Sequence, residues 1–337
     1  MCVIAAVKLP RDPVTGKPVE DAKWRLIKIR DRTYAPTYHV KRYTVKDIGA
    51  SQMFLIDNDT DWTEGVSIHP DGSMLMLVNS ALNNKGDKKD DGSKPTTEYE
   101  DVSENGLAIR KALKDHGIEK AIEILKSFKF DGNTFISDGD RLFVMENHLP
   151  AEVKEKYKDE KRASGKRYED LVPESAYIVV VREVKDDWLV VRANNGVFNK
   201  DAGYQEDDGD SYQSSKKRKE HAEKAIKENV FKPMDLILTF SELGSGKVDK
   251  NPWYRPVRLK GLAKSKDHPD IEIFTTSIIQ LDPAGTIILK PIKCKLDDFS
   301  VPNLVSGKYL ANLIVLPERD KIFEGFKSFY NTTRLLK

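Results

Sequence analysis

The chain has 337 residues, and its 56 Lys and Arg against 54 Asp and Glu give a formal net charge of +2 at pH 7. This balance gives no reason to expect a nucleic-acid or membrane surface as partner, and two cysteines are too few for a disulfide framework. The sequence also has no signal-peptide pattern and no apolar run of about 18 residues that could span a membrane. The low cysteine count fits a reducing compartment, so we expect a cytoplasmic protein. The six histidines are scattered and there is no CxxC or HExxH segment, so we expect no metal site.

The first predicted element is the N-terminal strand. Cys2 follows the initiator methionine, and its small side chain permits removal of Met1 by an aminopeptidase. Removal leaves a thiol beside a free α-amine, whose reference pKa of about 7.7–8.0 makes it a usable base. The apolar run at residues 3–7 predicts a buried strand that holds the thiol in place. The alternative is that Cys2 is a chance residue on a frayed terminus.

A hairpin is the simplest link between this strand and the next. Turn residues occupy positions 11–18, and residues 23–29 alternate polar and apolar as a second strand does. Pairing the two strands brings Arg30, Asp31 and Arg32 back towards the N-terminus.

The remaining elements follow from periodicity and from turn residues. A Pro-Asp-Gly turn at residues 69–73 joins two strands, and a second hairpin turns at residues 282–285. The other predicted elements are strands at 51–57, 133–137, 142–147, 176–184 and 188–191, and helices at 103–113, 118–128, 214–229 and 304–313.

This order of strands and helix pairs favours an α+β fold with antiparallel sheets over a doubly wound parallel sheet. We expect one domain over residues 1–337. Mobile insertions are predicted near residues 84–98, 151–170 and 201–213, with a C-terminal extension at about 296–337.

Several segments, in order along the chain, resemble one superfamily. They are Met1-Cys2-Val3-Ile4, Ile29-Arg30-Asp31-Arg32, Trp62 to Asn79, Asn133 to Asp138, Arg192-Ala193-Asn194-Asn195-Gly196, Ser215 to Arg218, and Thr276 to Leu289. Together they look like the cysteine N-terminal nucleophile (Ntn) hydrolases. This group includes the choloylglycine hydrolase/penicillin V acylase family, the acyl-coenzyme A:isopenicillin N acyltransferases and the NRDE-motif family. The resemblance implies a four-layer αββα fold with two stacked, mainly antiparallel sheets.

The resemblance also implies site residues. Cys2 would be the nucleophile, with Arg30 favouring its thiolate and Asp31 holding the α-amine, although the family often places this aspartate a few residues further on. Asn79 would donate to the oxyanion. Asn194 would be a second donor or a partner of the amine, and Arg218 would be a charge behind the site.

Each assignment has an ordinary structural alternative. Arg30 to Arg32 can be a solvated strand end, Asn79 and Asn194 can be turn residues, and Lys216 to Lys219 can be a solvated helix face. The acyltransferase histidine is replaced by Asn195. A protein that keeps the fold but lacks the catalytic activity is therefore another alternative.

The function expected from these residues is hydrolysis of a linear amide bond, or acyl transfer, through a thioester on Cys2. The substrate would be a small amide or acyl compound, and no cofactor is needed. The alternatives are a structural or binding protein with an idle thiol and, less favoured, a nucleic-acid-associated protein that uses residues 216–219. Whether the chain forms a homo-oligomer or a larger assembly is left open.

Overall fold

The structure is a computed structural model. It describes residues 2–12, 14–32, 34–45, 50–82, 105–114, 117–166, 168–203, 210–229, 263–264, 272–292, 294–297 and 312–315.

Within these residues the strands follow the chain in this order: β1 (Cys2–Arg11), β2 (Pro18–Arg32), β3 (Thr37–Val45), β4 (Ala50–Asp57), β5 (Thr63–Ile68), β6 (Met74–Ala81), β7 (Gly132–Ser137), β8 (Leu142–His148), β9 (Ile178–Glu183), β10 (Leu189–Arg192), β11 (Ala263–Lys264), β12 (Glu272–Asp282), β13 (Thr286–Pro291), β14 (Lys295–Asp297) and β15 (Asn312–Val315). The helices are α1 (Asn105–Ala112), α2 (Ile118–Lys126), α3 (Ala151–Ser164), α4 (Tyr168–Leu171) and α5 (Asp210–Asn229), with one 3-10 turn at Glu174–Ala176.

The strands form two sheets. The first sheet has the order β10-β1-β2-β12-β13-β15, with β11 paired to β12, and the second has the order β14-β3-β4-β5-β6-β7-β8-β9. Among the described residues, the pairs β13–β15 and β14–β3 are parallel and the other pairs are antiparallel. The protein is therefore an α+β fold with two mainly antiparallel sheets.

Three apolar clusters show which elements pack together. The cluster between the sheets combines residues of the first sheet, such as Ile4 and Leu26, with residues of the second, such as Met76 and Phe135. A second cluster packs α5 on the outer face of the first sheet. A third packs α1 and α2 on the outer face of the second sheet. This arrangement of layers is compatible with an αββα sandwich.

The alternation of side chains along β1 and β2 explains this packing. Successive residues of a strand point to opposite faces, so Ile27 and Ile29 pack with the α5 cluster while Trp24 and Leu26 enter the inter-sheet cluster. Both faces of β2 are thus covered. The polar residues Lys28, Arg30 and Asp31 in the second half of the strand are therefore buried, although alternation usually indicates a strand with one exposed face. Near the start of the strand, Glu20 and Asp21 are exposed.

The predicted hairpins at residues 1–32, 65–79 and 271–289 are confirmed, as are the helices that begin near residues 103, 118 and 214. The charged segment 151–170 holds α3 and α4. Residues 84–98 and 204–209 lie outside the described residues. Helix α5 begins at Asp210, inside the predicted 201–213 insertion.

Two features of the fold differ from expectation. Strand β3 was not predicted, although it joins β4 over its whole length. Residues 304–311 of the helix predicted at 304–313 lie outside the described residues, and the prediction is wrong at its end, because Asn312–Val315 forms a strand beside β13. Three of these four residues are Leu, Ile and Val, which suit a buried strand. The C-terminal extension therefore adds a strand to each sheet, β14 and β15.

No helix of the described part is long and apolar enough to cross a membrane.

Candidate active site

The pairing of β1 with β2 fixes the position of Cys2. In this antiparallel register Cys2 lies opposite Arg30, and Ile4 lies opposite Lys28. Because Ile4 belongs to the inter-sheet cluster, strand alternation puts the Cys2 side chain on the same face. The thiol is therefore between the two sheets, and only 4% of Cys2 is exposed.

The backbone of Cys2 is held by two side chains that are distant in sequence. The backbone N–H of Cys2 donates to Oδ1 of Asn194 at 3.2 Å. Arg218 donates from Nη1 to the Cys2 carbonyl oxygen at 3.2 Å and from Nη2 to Oδ1 of Asn194 at 2.8 Å. Both side chains are completely buried. The predicted residues Cys2, Asn194 and Arg218 thus form one hydrogen-bonded group.

The turn that carries Asn194 is fixed at several points. Its backbone N–H donates to Oγ of Ser215 on α5 at 3.0 Å, and its Nδ2 donates to the carbonyl oxygen of Ala81 at 2.7 Å. Oγ of Ser215 in turn donates to Oδ1 of Asn195 at 2.8 Å. These contacts orient the Asn194 carboxamide so that its oxygen accepts from Cys2 and Arg218.

Charged side chains from both sheets surround the thiol-bearing end of this space. Lys28 donates from Nζ to Oε1 of Glu64. Arg30 donates from Nη2 to Oδ2 of Asp57 at 2.7 Å, and its Nη1 lies 3.6 Å from Oε2 of Glu64. The side chains of these two cations and two carboxylates are fully buried.

The charges change the acidity of the groups near them. Burial raises the pKa of the Cys2 thiol, but the positive charges of the N-terminal ammonium, Lys28, Arg32 and Arg30 outweigh burial, and the pKa lies below its ordinary value. Burial lowers the pKa of Lys28, and the attraction of Glu64 only partly opposes this effect. The charges around Cys2 therefore make its thiol more acidic than an ordinary cysteine thiol.

Asn79 lies on the other sheet and is fully engaged. Its Nδ2 donates to the Thr63 carbonyl oxygen at 3.0 Å and to Oδ1 of Asn105 at 2.8 Å, and its Oδ1 accepts from Nζ of Lys28 at 3.3 Å. Asn79 is thus linked to the cluster through Lys28. In this arrangement, both N–H bonds of its carboxamide are used inside the protein, so the predicted oxyanion contact would require one of them to change partner.

Asp31 occupies the opposite face of β2 from Arg30. It accepts from Oγ1 of Thr275 at 2.8 Å, and its Oδ2 lies 3.9 Å from Nη1 of Arg218. The backbone N–H of Cys2 donates to Asn194. Asp31 lies beside Arg218, which donates to Asn194. The predicted contact of Asp31 with the α-amine freed by removal of Met1 stays a prediction.

Three polar residues of the cluster were missed at the sequence level: Lys28, Asp57 and Glu64. Lys28 carried a usable signal, because it shares a strand face with Arg30 and follows the apolar Leu26 on that face. Asp57 and Glu64 gave no comparable signal, since their role depends on how the second sheet stacks on the first.

The basic segment Lys216 to Lys219 is not one charged surface. Arg218 is fully buried against Cys2, while Lys216 is exposed. A nucleic-acid contact through all four residues is therefore incompatible with this helix orientation.

In the part of the chain that the structure describes, no group of three or more His, Cys, Asp or Glu side chains could hold a metal ion. Cys2 and Cys294 are both free thiols. The chain matches no protein-family model and no curated protein at a significant level.

Proposed function

We propose that the chain is an N-terminal-cysteine amide hydrolase or acyltransferase of the Ntn type, with Cys2 as nucleophile. The hydrogen bonds that join Cys2, Asn194 and Arg218 carry this proposal. A scaffold that only needed to end a strand would not require a buried carboxamide and a buried guanidinium around the backbone of its second residue, because burying such groups is unfavourable unless they are paired.

The proposed reaction begins once Met1 has been removed. The α-amine of Cys2 accepts the thiol proton, and the thiolate attacks the carbonyl carbon of a linear amide. The C–S bond forms, the tetrahedral oxyanion collapses, and the C–N bond breaks as the α-ammonium returns its proton to the leaving amine. Water then cleaves the thioester to an acid and the free thiol, or a second amine takes the acyl group.

Residues of this chain would stabilise the thiolate and orient the α-amine. Lys28 and Arg30 provide positive charge near the thiolate. The Oδ1 of Asn194 would receive a hydrogen bond from the α-amine, as it does from the Cys2 N–H. The proposal includes the four-layer αββα arrangement, a small amide or acyl substrate and a reducing, cytoplasmic location, to which two free thiols are suited.

A catalytically silent protein on the same scaffold is the second candidate. Two observations favour it: the Cys2 side chain is almost completely buried, and both N–H bonds of Asn79 are already engaged.

The test separating the two candidates is trapping of an acyl-enzyme. The purified protein is incubated with a panel of N-acyl amino acids, acyl anilides and acyl thioesters, and intact mass and peptide mapping locate any acyl group. We expect an adduct on the N-terminal peptide of the wild type and of Cys294→Ala, and none on Cys2→Ala. An adduct that disappears only in Cys294→Ala, or product formation that survives Cys2→Ala, would reject the proposal.

A further inference from the structure

A groove of about 600 Å³ lies at the side of the molecule where both sheets end. Strand β9 is the last strand of the second sheet, and β10 is the first strand of the first sheet. The groove is lined by residues of both strands and by one side of α5. Its inner wall includes the apolar Val144 and Val190, together with the cation Arg192.

Arg192 is a buried cation with incomplete pairing. Only 8% of the residue is exposed, and its Nε has no hydrogen-bond partner in the described part of the chain. Its Nη1 donates to the Val191 carbonyl oxygen at 3.1 Å. A buried guanidinium usually needs a carboxylate or phosphate in close contact.

The nearest carboxylate forms an ion pair with Arg192 but no hydrogen bond to it. Glu146 lies 3.8 Å from Nε of Arg192. However, its two oxygens accept the backbone N–H groups of Val197, Phe198 and Asn199 at 2.8, 2.9 and 3.1 Å. Glu146 is therefore held by the loop, at a distance too long for a hydrogen bond with Arg192.

A second arginine approaches the same aromatic ring. The guanidinium carbon of Arg182 lies 4.7 Å from the ring centroid of Phe198, and that of Arg192 lies 5.1 Å from it. Both distances suit cation–π contacts. No ion pair to Arg182 occurs among the described residues, and Arg192 shares the ring with it while facing Glu146 at 3.8 Å.

The other charged residues of the groove largely neutralise one another. Lys219 pairs with Glu223 at 3.8 Å, and Lys185 lies 4.0 Å from Glu183. Three more charged lining residues are exposed at the rim: Asp186, Asp187 and Lys227. The rim therefore carries both signs. Arg182 is a groove cation without an ion pair among the described residues, while Arg192 faces Glu146 and keeps an Nε without a hydrogen bond.

The groove is separate from the surroundings of Cys2. Arg192 lies opposite Ile4, two residues along β1 from Cys2. Between Arg192 and Asn194, the Ala193 carbonyl oxygen accepts from Oγ of Ser80 at 3.0 Å and from Nδ2 of Asn133 at 3.1 Å. These bonds tie the two sheets together at this point.

We propose that this groove is a second binding site, for a small molecule that carries a carboxylate or phosphate group. Arg192 and Arg182 bind the anionic group, since guanidinium groups match planar and tetrahedral oxyanions with paired hydrogen bonds. Phe198 holds the two guanidinium groups in place. The apolar residues of the wall contact the rest of the ligand.

The test is titration calorimetry on the full chain, with inorganic phosphate in one series and succinate in another, at ionic strength held constant with sodium chloride. We expect saturable binding of at least one probe to the wild type. Arg192→Gln should weaken it about tenfold or more. Arg182→Gln should weaken it by a smaller factor, and Arg141→Gln, which removes an exposed arginine elsewhere, should leave it unchanged.

Cys2→Ala should bind the same probe as the wild type does, because the groove does not depend on the thiol. If Arg192→Gln does not fold, the exposed Arg182→Gln decides the question on its own. The proposal would be overturned if neither probe bound saturably to the wild type, or if the wild type, Arg182→Gln and Arg192→Gln bound the probe equally well.

Discussion

The inner face of β2 passes through two environments within one strand. Trp24 and Leu26 lie in the apolar cluster between the sheets. On the same face, Lys28 and Arg30 lie among carboxylates of the second sheet. Both halves are almost completely buried, so they differ in chemistry and not in exposure.

The two halves contribute differently to stability. Burial of the apolar half is favourable at about 25 cal/mol per Å² of apolar surface. The charged half must first lose its hydration, and the attraction of buried ion pairs often only offsets that loss. Stability alone therefore does not explain why charges lie beside Cys2, whereas a nucleophilic thiolate would require them.

The largest expected loss of stability comes from breaking the charged half. Arg30→Met leaves the buried Asp57 without its closest cation. We expect the free energy of unfolding to fall by about 3–5 kcal/mol, as for other broken buried ion pairs. Denaturant unfolding measures it. The matched control is Arg25→Met on the same strand, whose partly exposed ion pair at 3.5 Å should be worth about 1 kcal/mol or less. Equal losses would show that Arg30 is not held in a buried pair.

In the apolar half, Leu26→Ala should lower the free energy of unfolding by about 2–5 kcal/mol, because it removes buried methyl groups and leaves a cavity. The same variant should keep the pH dependence of Cys2 alkylation by iodoacetamide. A changed pH profile in a folded Leu26→Ala protein would mean that the two halves are not independent.

Lys28→Met tests the charged half of β2 through the acidity of Cys2. It removes one of the positive charges that lower the Cys2 pKa, so the pKa should rise and the alkylation profile should move to higher pH. Lys28→Arg, which keeps the charge, should move the profile less. The measurement is the pH dependence of Cys2 alkylation, followed by peptide mass in a Cys294→Ala background. If Lys28→Met left the alkylation profile unchanged, Lys28 would have no influence on the pKa of Cys2.

The smallest expected effect is on acid stability. Burial raises the pKa of Asp57, but Arg30, Arg32 and hydrogen bonds outweigh burial and hold it below its ordinary value of 3.8. Ionised Asp57 therefore stabilises the fold at pH values above 3.8, and this contribution is lost as pH falls through the lowered pKa. Unfolding curves are measured at about pH 6 and at about pH 3, on either side of the ordinary Asp pKa. Between these values the free energy of unfolding should fall less for Asp57→Asn than for the wild type. If the free energy of unfolding fell equally in both proteins, groups other than Asp57 would cause the acid sensitivity.

How much could be predicted from sequence differs between these regions. Turn residues and alternation were sufficient for the β1–β2 hairpin and for the position of Arg30 near Cys2, because both depend on local pairing. They were also sufficient for the hairpin that ends near Asn79. The order of weak motifs brought Asn194 and Arg218 into the predicted site, and the structure joins both to Cys2.

What could not be predicted depends on contacts between sheets. The pairing of Lys28 with Glu64 requires β2 of one sheet to face β5 of the other, and no spacing in the sequence encodes that stacking. Asp31 has a different limitation, because its partners depend on the pairing of β2 with β12 and on the packing of α5. Its side chain points away from the inter-sheet space because it is adjacent to Arg30 in the strand.

The central claim is that Cys2 becomes an N-terminal nucleophile, and the mature N-terminus tests it most directly. The purified protein is denatured, treated with 2-cyanobenzothiazole, which condenses with an N-terminal cysteine, and measured by intact mass, with Cys294→Ala as control. We expect a mass without Met1 and one stable adduct in both proteins. A mass that includes Met1, with no adduct, would contradict it.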